Sequence, residues 1–214
     1  MPTYIYEYPN WPDFSWDDTA INVVFGEVRL MQGKLIGQMS ALGFSAKEEA
    51  TLTALTLDVV KSSEIEGELL NYDQVRSSIA RRLGINTAGL VASSRHIEGV
   101  VEMMLDATQR HTMPLTEKRL FGWHAALFPT GYSGPYAIEV GHYHSGEMQV
   151  VSGAMGKEKV HYVAVKPERV KPEMDRFLDW FNTENRLDPV LKAAIAHFWF
   201  IIIHPFDDGN GRIA

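Results

Sequence analysis

Ile203-His204-Pro205-Phe206-Asp207-Asp208-Gly209-Asn210-Gly211-Arg212 is the stretch on which the reading of this 214-residue chain turns. The apolar run before it, Leu191 to Ile203, reads as a buried helix. Pro205 has no N–H to continue that helix, so the chain must turn. Asp-Gly and Asn-Gly follow in succession, and the backbone can visit positive φ twice within four residues. Successive amides in such a loop converge into an anion-binding nest. A new helix starting near Asn210 would add unsatisfied N–H groups and positive potential at its N-terminus. Arg212 offers a planar fork for phosphate oxygens. Asp208 is a hard oxygen ligand suited to Mg²⁺. His204, at the mouth of the loop, is a candidate general base. Together these groups point to phosphate-transfer chemistry.

His-Pro-Phe-x-Asp-Gly-Asn-Gly-Arg resembles the signature of the Fic (Fic/Doc) family at every fixed position. The resemblance implies an all-α fold with one small β-hairpin flap, and transfer of AMP from ATP to a protein hydroxyl. It implies His204 as the base, Asp208 as the Mg²⁺ ligand, and Asp207, Asp208, Gly209, Asn210, Gly211 and Arg212 as the nucleotide- and phosphate-binding loop. It also implies a second arginine three residues beyond Arg212, at the position after Ala214. The sequence therefore reads as cut short just after the signature, and a chain so cut is expected to transfer poorly.

A second informative place lies upstream. Lys61-Ser62-Ser63-Glu64-Ile65-Glu66-Gly67-Glu68 sets three carboxylates beside the expected end of a helix. The helix dipole disfavours negative charge there, and a cationic partner, such as an arginine in the phosphate site, would relieve it. Ser62 and Glu66 are at i and i+4, on one helix face. Gly67 suits the position just past the helix end. Ser-x-x-x-Glu-Gly also resembles the inhibitory motif of autoregulated Fic proteins that carry it N-terminal to the domain. That resemblance implies that Glu66 reaches into the nucleotide site, pairs with the second arginine and keeps basal activity low.

Composition narrows the classes. Nearly half the residues are apolar, enough for a sizeable core, and the net charge of −7 argues against a general nucleic-acid footprint. The chain has no cysteine, which removes disulfide and thiolate chemistry and fits a reducing compartment. The N-terminus has no basic segment followed by an apolar one, and the longest apolar run, interrupted by His197, is too short for a bilayer. A cytoplasmic protein without membrane contact is expected. Nucleic acid would enter only through a C-terminal module outside this sequence, of the kind larger relatives carry.

Outward from the two motifs, residues 1–92 read as an aromatic arm plus helices that include the inhibitory one. Residues 93–214 read as a Fic domain incomplete at its C-terminus. Tyr4, Tyr6, Tyr8, Trp11, Phe14 and Trp16, with Pro9 and Pro12 between them, predict an arm packed on the body rather than a helix. Asp17 and Asp18 suit the start of a helix to about Leu42, with Ile21, Val24, Phe25, Val28, Met31 and Leu35 at helical spacing. Ser45 and Glu48 predict a capping box for the helix 46–66, with Leu52, Leu55 and Val59 inward. Helices are expected over 73–83, with Arg76, Arg81 and Arg82 on a solvated face, over 93–110, and over 117–128 behind a Thr116 cap. His124 reads as a satisfied, partly buried histidine. His142 and His144 alternate as on a strand, but no third ligand is evident for zinc. Fic relatives often have arginine where His144 stands. Segments 147–151 and 160–165, joined by a tip over 152–159, predict a hairpin. The resemblance implies that this 147–165 hairpin is a flap on which the protein target docks by strand addition. Self-modification is compatible with it. Pro172 suits the first turn of a helix over 167–182, and Pro189 the first turn of the core helix.

Rival readings keep the fold and change the chemistry, or change the class. They are hydrolytic removal of AMP with Glu66 positioning water, transfer of another phosphate-bearing group, a nucleotide-gated regulatory module without transfer, and a metal hydrolase using His142, His144 and His204.

Overall fold

The computed structural model describes residues 3–152 and 159–214. The central part of the expected hairpin tip, residues 153–158, lies outside the described residues. The element order is α1 (Asp18–Ala41), α2 (Phe44–Ile65), α3 (Tyr72–Leu83), α4 (Arg95–Gln109), α5 (Glu117–Leu127), β1 (Tyr132–Ser133), β2 (Tyr136–Ala137), β3 (Gln149–Ser152), β4 (Lys159–Val163), α6 (Pro167–Thr183), α7 (Pro189–Ile203) and α8 (Asn210–Ile213). The fold is all-α with two small antiparallel hairpins, β1–β2 and β3–β4. The second of these is the expected hairpin, with Val150 opposite Tyr162 and a register shift before Val151. The first, with Tyr132 opposite Ala137, lies where the sequence predicts no strand.

Two apolar clusters hold the chain together. One surrounds α7: Trp199, Phe200, Ile203 and Phe206 pack against Val170, Met174 and Phe177 of α6 and Leu120 of α5. The aromatic arm covers its edge. Tyr6 is buried and donates through its hydroxyl to the Val163 carbonyl at 3.0 Å, and Trp11 donates to Glu173 at 3.0 Å. The other cluster joins Leu52 and Val59 of α2, Val75 and Ile79 of α3, Ile97 and Val101 of α4, and Leu127 and Phe128 after α5. Phe206 belongs to the first and Phe128 to the second, so the signature loop lies along the seam between them.

Local chemistry explains most boundaries. Asp17 caps α1, accepting from Thr19 and Ala20. Asn71, Ser94, Thr116 and Asp188 cap α3, α4, α5 and α7 in the same way. Two expectations about helix starts fail. The Ser45–Glu48 capping box does not form, because α2 begins two residues earlier with Gly43 at its N-cap and Ser45 already inside. Pro172 sits inside α6, not in its first turn, because Pro167 takes that place. The missing N–H at Pro172 leaves the Glu168 carbonyl without its helical donor.

Burial departs from periodicity in α1. No residue of α1 is buried, and Val24, Met31 and Leu35 are each more than half exposed. Ile21, Phe25 and Val28 of the same face are half-buried. Spacing defines which side chains share a face, but only a neighbouring element can cover that face, and its cover here is partial. In α2 the inward stripe is Leu52, Thr56, Val59 and Ser63, while Ile65 is exposed. Of the arginines of α3, Arg81 and Arg82 are exposed as expected, whereas Arg76 is half-buried. Arg76 pairs with Glu49, and Arg81 and Arg82 with Glu98.

Helices α4 and α5 approach closely at Gly99, where an added Cβ would overlap the Ala126 carbonyl. Backbone cannot give way as a flexible side chain can. Gly99→Ala is therefore expected to lower stability by about 3 kcal/mol, read as a fall in the thermal midpoint. An unchanged midpoint would contradict this packing.

Candidate active site

Helix α7 is apolar on nearly all sides and ends in the loop. His204 is its C-cap, with φ 54° and ψ 57°, the one non-glycine left-handed residue among the described residues. A β-carbon makes that conformation costly, and such strain persists where the surroundings impose it. Here the imposing groups are visible. The His204 N–H donates to the Phe200 carbonyl at 2.9 Å, and the Pro205 carbonyl accepts from the His144 N–H at 2.9 Å. His204 Nδ1 is buried without a partner among the described residues, which leaves Nε2 as the nitrogen able to face a substrate. Burial, with His144 nearby, pulls the His204 pKa below the ordinary 6.5, against the opposing pull of the Ile201 carbonyl and Asp208. The imidazole is thus neutral at neutral pH and free to accept a proton.

The loop is clamped from within. Phe206 is fully buried, its ring stacked on His124 at 4.3 Å. The Asn210 side chain accepts from the Phe206 N–H at 2.9 Å and donates to the Phe206 carbonyl at 2.7 Å. The Asn210 amide thus holds the loop's shape rather than facing outward. Asp207 accepts from the Glu139 N–H at 2.8 Å and ties the loop to the segment before the hairpin. His124 is completely buried, deeper than its sequence suggested. Its Nδ1 accepts from the Gly141 N–H at 3.0 Å, so Nε2 carries the hydrogen and donates to the Asp208 carbonyl at 3.2 Å. Gly209, at φ 79°, caps α8, and a Cβ there would meet the Phe128 ring.

Asp208 and Arg212 line a pocket of about 620 Å³ together with Glu66, Glu68, His96, Phe128, Tyr132 and Ser133. His204 is not among its lining residues. The Asp208 carboxylate accepts from the Gly209 N–H at 2.6 Å and from the Ser133 hydroxyl. Among the described residues no group of three or more His, Cys, Asp or Glu converges, so His142, His144 and His204 are not brought together as a ligand set. The Asp208 carboxylate in the loop fits Mg²⁺, which is commonly held by one or two carboxylates with the rest of its shell from phosphates and water. Arg212 lies over the Phe128 ring at 4.9 Å and pairs with Glu68 at 2.6 Å.

The end of α2 reaches this pocket. Gly67, at φ 82°, closes the helix: its N–H donates to the Glu64 carbonyl at 3.0 Å, and the Glu68 N–H to the Ser63 carbonyl at 2.8 Å. The Glu66 carboxylate lies against Gly211, where an added Cβ would overlap it. Ser62 is exposed, and the buried serine of this turn is Ser63. The cationic partner expected for the acidic helix end is Arg212, reached by Glu68. Glu68, His96 and Ser133 escaped the sequence reading. Glu68 stands two residues from Glu66 and was legible as one of the three carboxylates, but neither His96 nor Ser133 sits in a pattern that marks it.

Residues 114–214 match the Fic/DOC family, and residues 4–85 match a domain of unknown function, DUF4172. These matches support the Fic family for the C-terminal half of the chain. Among curated proteins, protein adenylyltransferase fic-1 of Caenorhabditis elegans is 46% identical over 55 residues, covering 25% of this chain and 11% of that protein. Protein adenylyltransferase Fic of Drosophila willistoni is 28% identical over 171 residues, covering 78% of this chain and 32% of that protein. This chain thus spans about a third or less of these relatives. Among solved structures, a Fic domain containing signaling protein from Bacteroides thetaiotaomicron matches with a TM-score of 0.60 and 26% identity, over 83% of this chain and 65% of that one. A Fic family protein from Desulfovibrio desulfuricans has the same fold, with a TM-score of 0.60 and 24% identity over 94% of this chain and 56% of that one. No helix among the described residues is long and apolar enough to cross a membrane.

Proposed function

We propose that this chain transfers AMP from ATP to a Ser, Thr or Tyr hydroxyl of a protein target, with residues 93–214 as the catalytic part. We further propose that the end of α2, within residues 1–92, restrains it. The observation that carries this reading is the pairing of a neutral, strained His204 with a loop that turns Asp208 and Arg212 into one pocket. His204 Nε2 accepts the proton of the target hydroxyl. The hydroxyl oxygen forms a bond to the α-phosphorus as the bond to the bridging oxygen breaks, and pyrophosphate leaves with the electron pair. Arg212 and the loop amides take up charge on the phosphates. A Mg²⁺ ion held at Asp208 would supply charge neutralisation across the phosphates.

Restraint follows from like charge. The Glu66 carboxylate lies against Gly211 of the loop, and a phosphate brought to that loop would meet its like charge. Glu66 forms no ion pair among the described residues. The second arginine implied by the resemblance is therefore not needed to bring Glu66 to the loop. The target docks on the hairpin by strand addition; among the described residues, β3 and β4 pair with each other and with no further strand. The absence of cysteine fits activity in the cytoplasm.

The pH dependence tests the base. Transfer requires neutral His204, whose pKa is lowered, so kcat/KM should rise with pH through a midpoint below 6.5 and stay flat above pH 7. A midpoint above 7 would contradict the assignment. Incubation with α-labelled ATP and Mg²⁺, followed by intact mass, tests the reaction itself. Gain of one AMP per modified hydroxyl supports it, and no gain in any protein target or in the chain itself contradicts it.

A further inference from the structure

The Glu68 carboxylate is held at both oxygens. Oε2 receives Arg212 Nη1 at 2.6 Å, and Oε1 lies against His96 Nε2. The His96 contact is close but lacks aligned hydrogen-bond geometry. Its nearness, then Arg212, keeps the Glu68 carboxyl below the ordinary range, so it is ionised at neutral pH and can only accept. An acceptor against Nε2 requires Nε2 to carry the hydrogen. His96 Nε2 thus lies in the pocket lining against an anionic oxygen.

The surroundings favour an anion for further reasons. His96 lies in the first turn of α4, whose free N–H groups and dipole favour negative charge. Arg212 keeps only 10% of its side chain exposed, so its charge is weakly screened. All three residues line the pocket assigned above to nucleotide. The Glu68 backbone is anchored through its N–H, but its side chain is about a third exposed and can leave the seat by rotating about its own bonds.

We infer that His96 and Arg212 form an anion subsite now filled by the Glu68 carboxylate, and that the terminal phosphate of a nucleoside triphosphate takes that seat when Glu68 leaves it. This rests on the nucleotide reading of the pocket and adds a binding residue from outside the signature loop. It separates Glu68 from Glu66: the Glu66 carboxylate lies against Gly211, whereas Glu68 occupies the arginine.

Calorimetric titration of the full chain with ATP and with AMP tests this in wild type, Glu68→Gln, Glu68→Gln/His96→Gln and Glu68→Gln/His96→Lys. Removing the competing charge should tighten ATP binding about tenfold in Glu68→Gln. Removing the His96 donor in that background should weaken it again by about tenfold, while lysine, which keeps a cationic donor, should restore at least half of the gain in free energy. AMP, with no terminal phosphate, should change less than about twofold throughout. Equal ATP affinity in Glu68→Gln and Glu68→Gln/His96→Gln would overturn the subsite, as would parallel losses for ATP and AMP. Failure of every variant, including Glu66→Gly, to bind either nucleotide would overturn the nucleotide reading instead.

Discussion

His204→Ala is expected to lower AMP transfer by about a thousandfold or more, within the usual worth of a positioned general base, while leaving the thermal midpoint nearly unchanged. The two parts follow from the same geometry. The imidazole is the one group at the helix end whose lowered pKa leaves it neutral and proton-accepting at neutral pH. Yet its Nδ1 has no hydrogen-bond partner among the described residues, so truncation breaks no side-chain bond in the core. Alanine meets the same left-handed backbone at φ 54° and pays a similar conformational cost. Transfer by the variant at more than a tenth of the wild-type rate would remove His204 from the chemistry. Loss of folding would instead make it a structural residue.

Glu66→Gly is expected to raise transfer about tenfold or more, with ATP affinity rising in parallel. Unit charges at contact distance interact by about 4 kcal/mol at the effective dielectric of a protein surface, so a carboxylate on Gly211 is a strong competitor for a phosphate there. The substitution should not unravel α2. Glu66 is its C-cap, where negative charge is unfavourable, and the turn is closed by the backbone bonds of Gly67 and Glu68. Initial rates with a fixed target and varied ATP check this. A rate equal to wild type would mean that the carboxylate does not restrain the site. A lower rate would mean that it takes part in the reaction, as the hydrolytic alternative requires of it.

The loop from His204 to Arg212 was legible because its turns are written in residue types. Proline stops α7, and the Asp-Gly step permits the positive φ that Gly209 adopts; the Asn-Gly step does not use its freedom, because Gly211 already lies inside α8. The closure of α2 at Gly67 was legible for the same reason. What the sequence could not show is which distant residues meet there. Glu68 and Arg212 are separated by 144 positions, and nothing local distinguishes Glu68 from Glu66 as the partner of the arginine. The roles of Asp207 and Asn210 were hidden in the same way. Both read as phosphate-facing, and both spend their side chains on backbone groups that shape the loop. In α1 the spacing of Val24, Met31 and Leu35 specified a helix and a shared face, but burial belongs to the pair of surfaces, and this one is covered only in part. Ser45 shows the limit of local signals. A capping pattern was present, but Gly43 offered an earlier start and the helix took it.

The central claim is that the pocket lined by Asp208 and Arg212 delivers the α-phosphate of ATP to a protein hydroxyl that His204 deprotonates. The most direct measurement runs parallel reactions with ATP labelled at the α- or the γ-phosphate, using Glu66→Gly and the Glu66→Gly/His204→Ala pair. The account predicts that protein acquires the α-label alone, in Glu66→Gly, and that the added His204→Ala removes it. Retention of the γ-label on protein, or α-label that survives loss of His204, would contradict it.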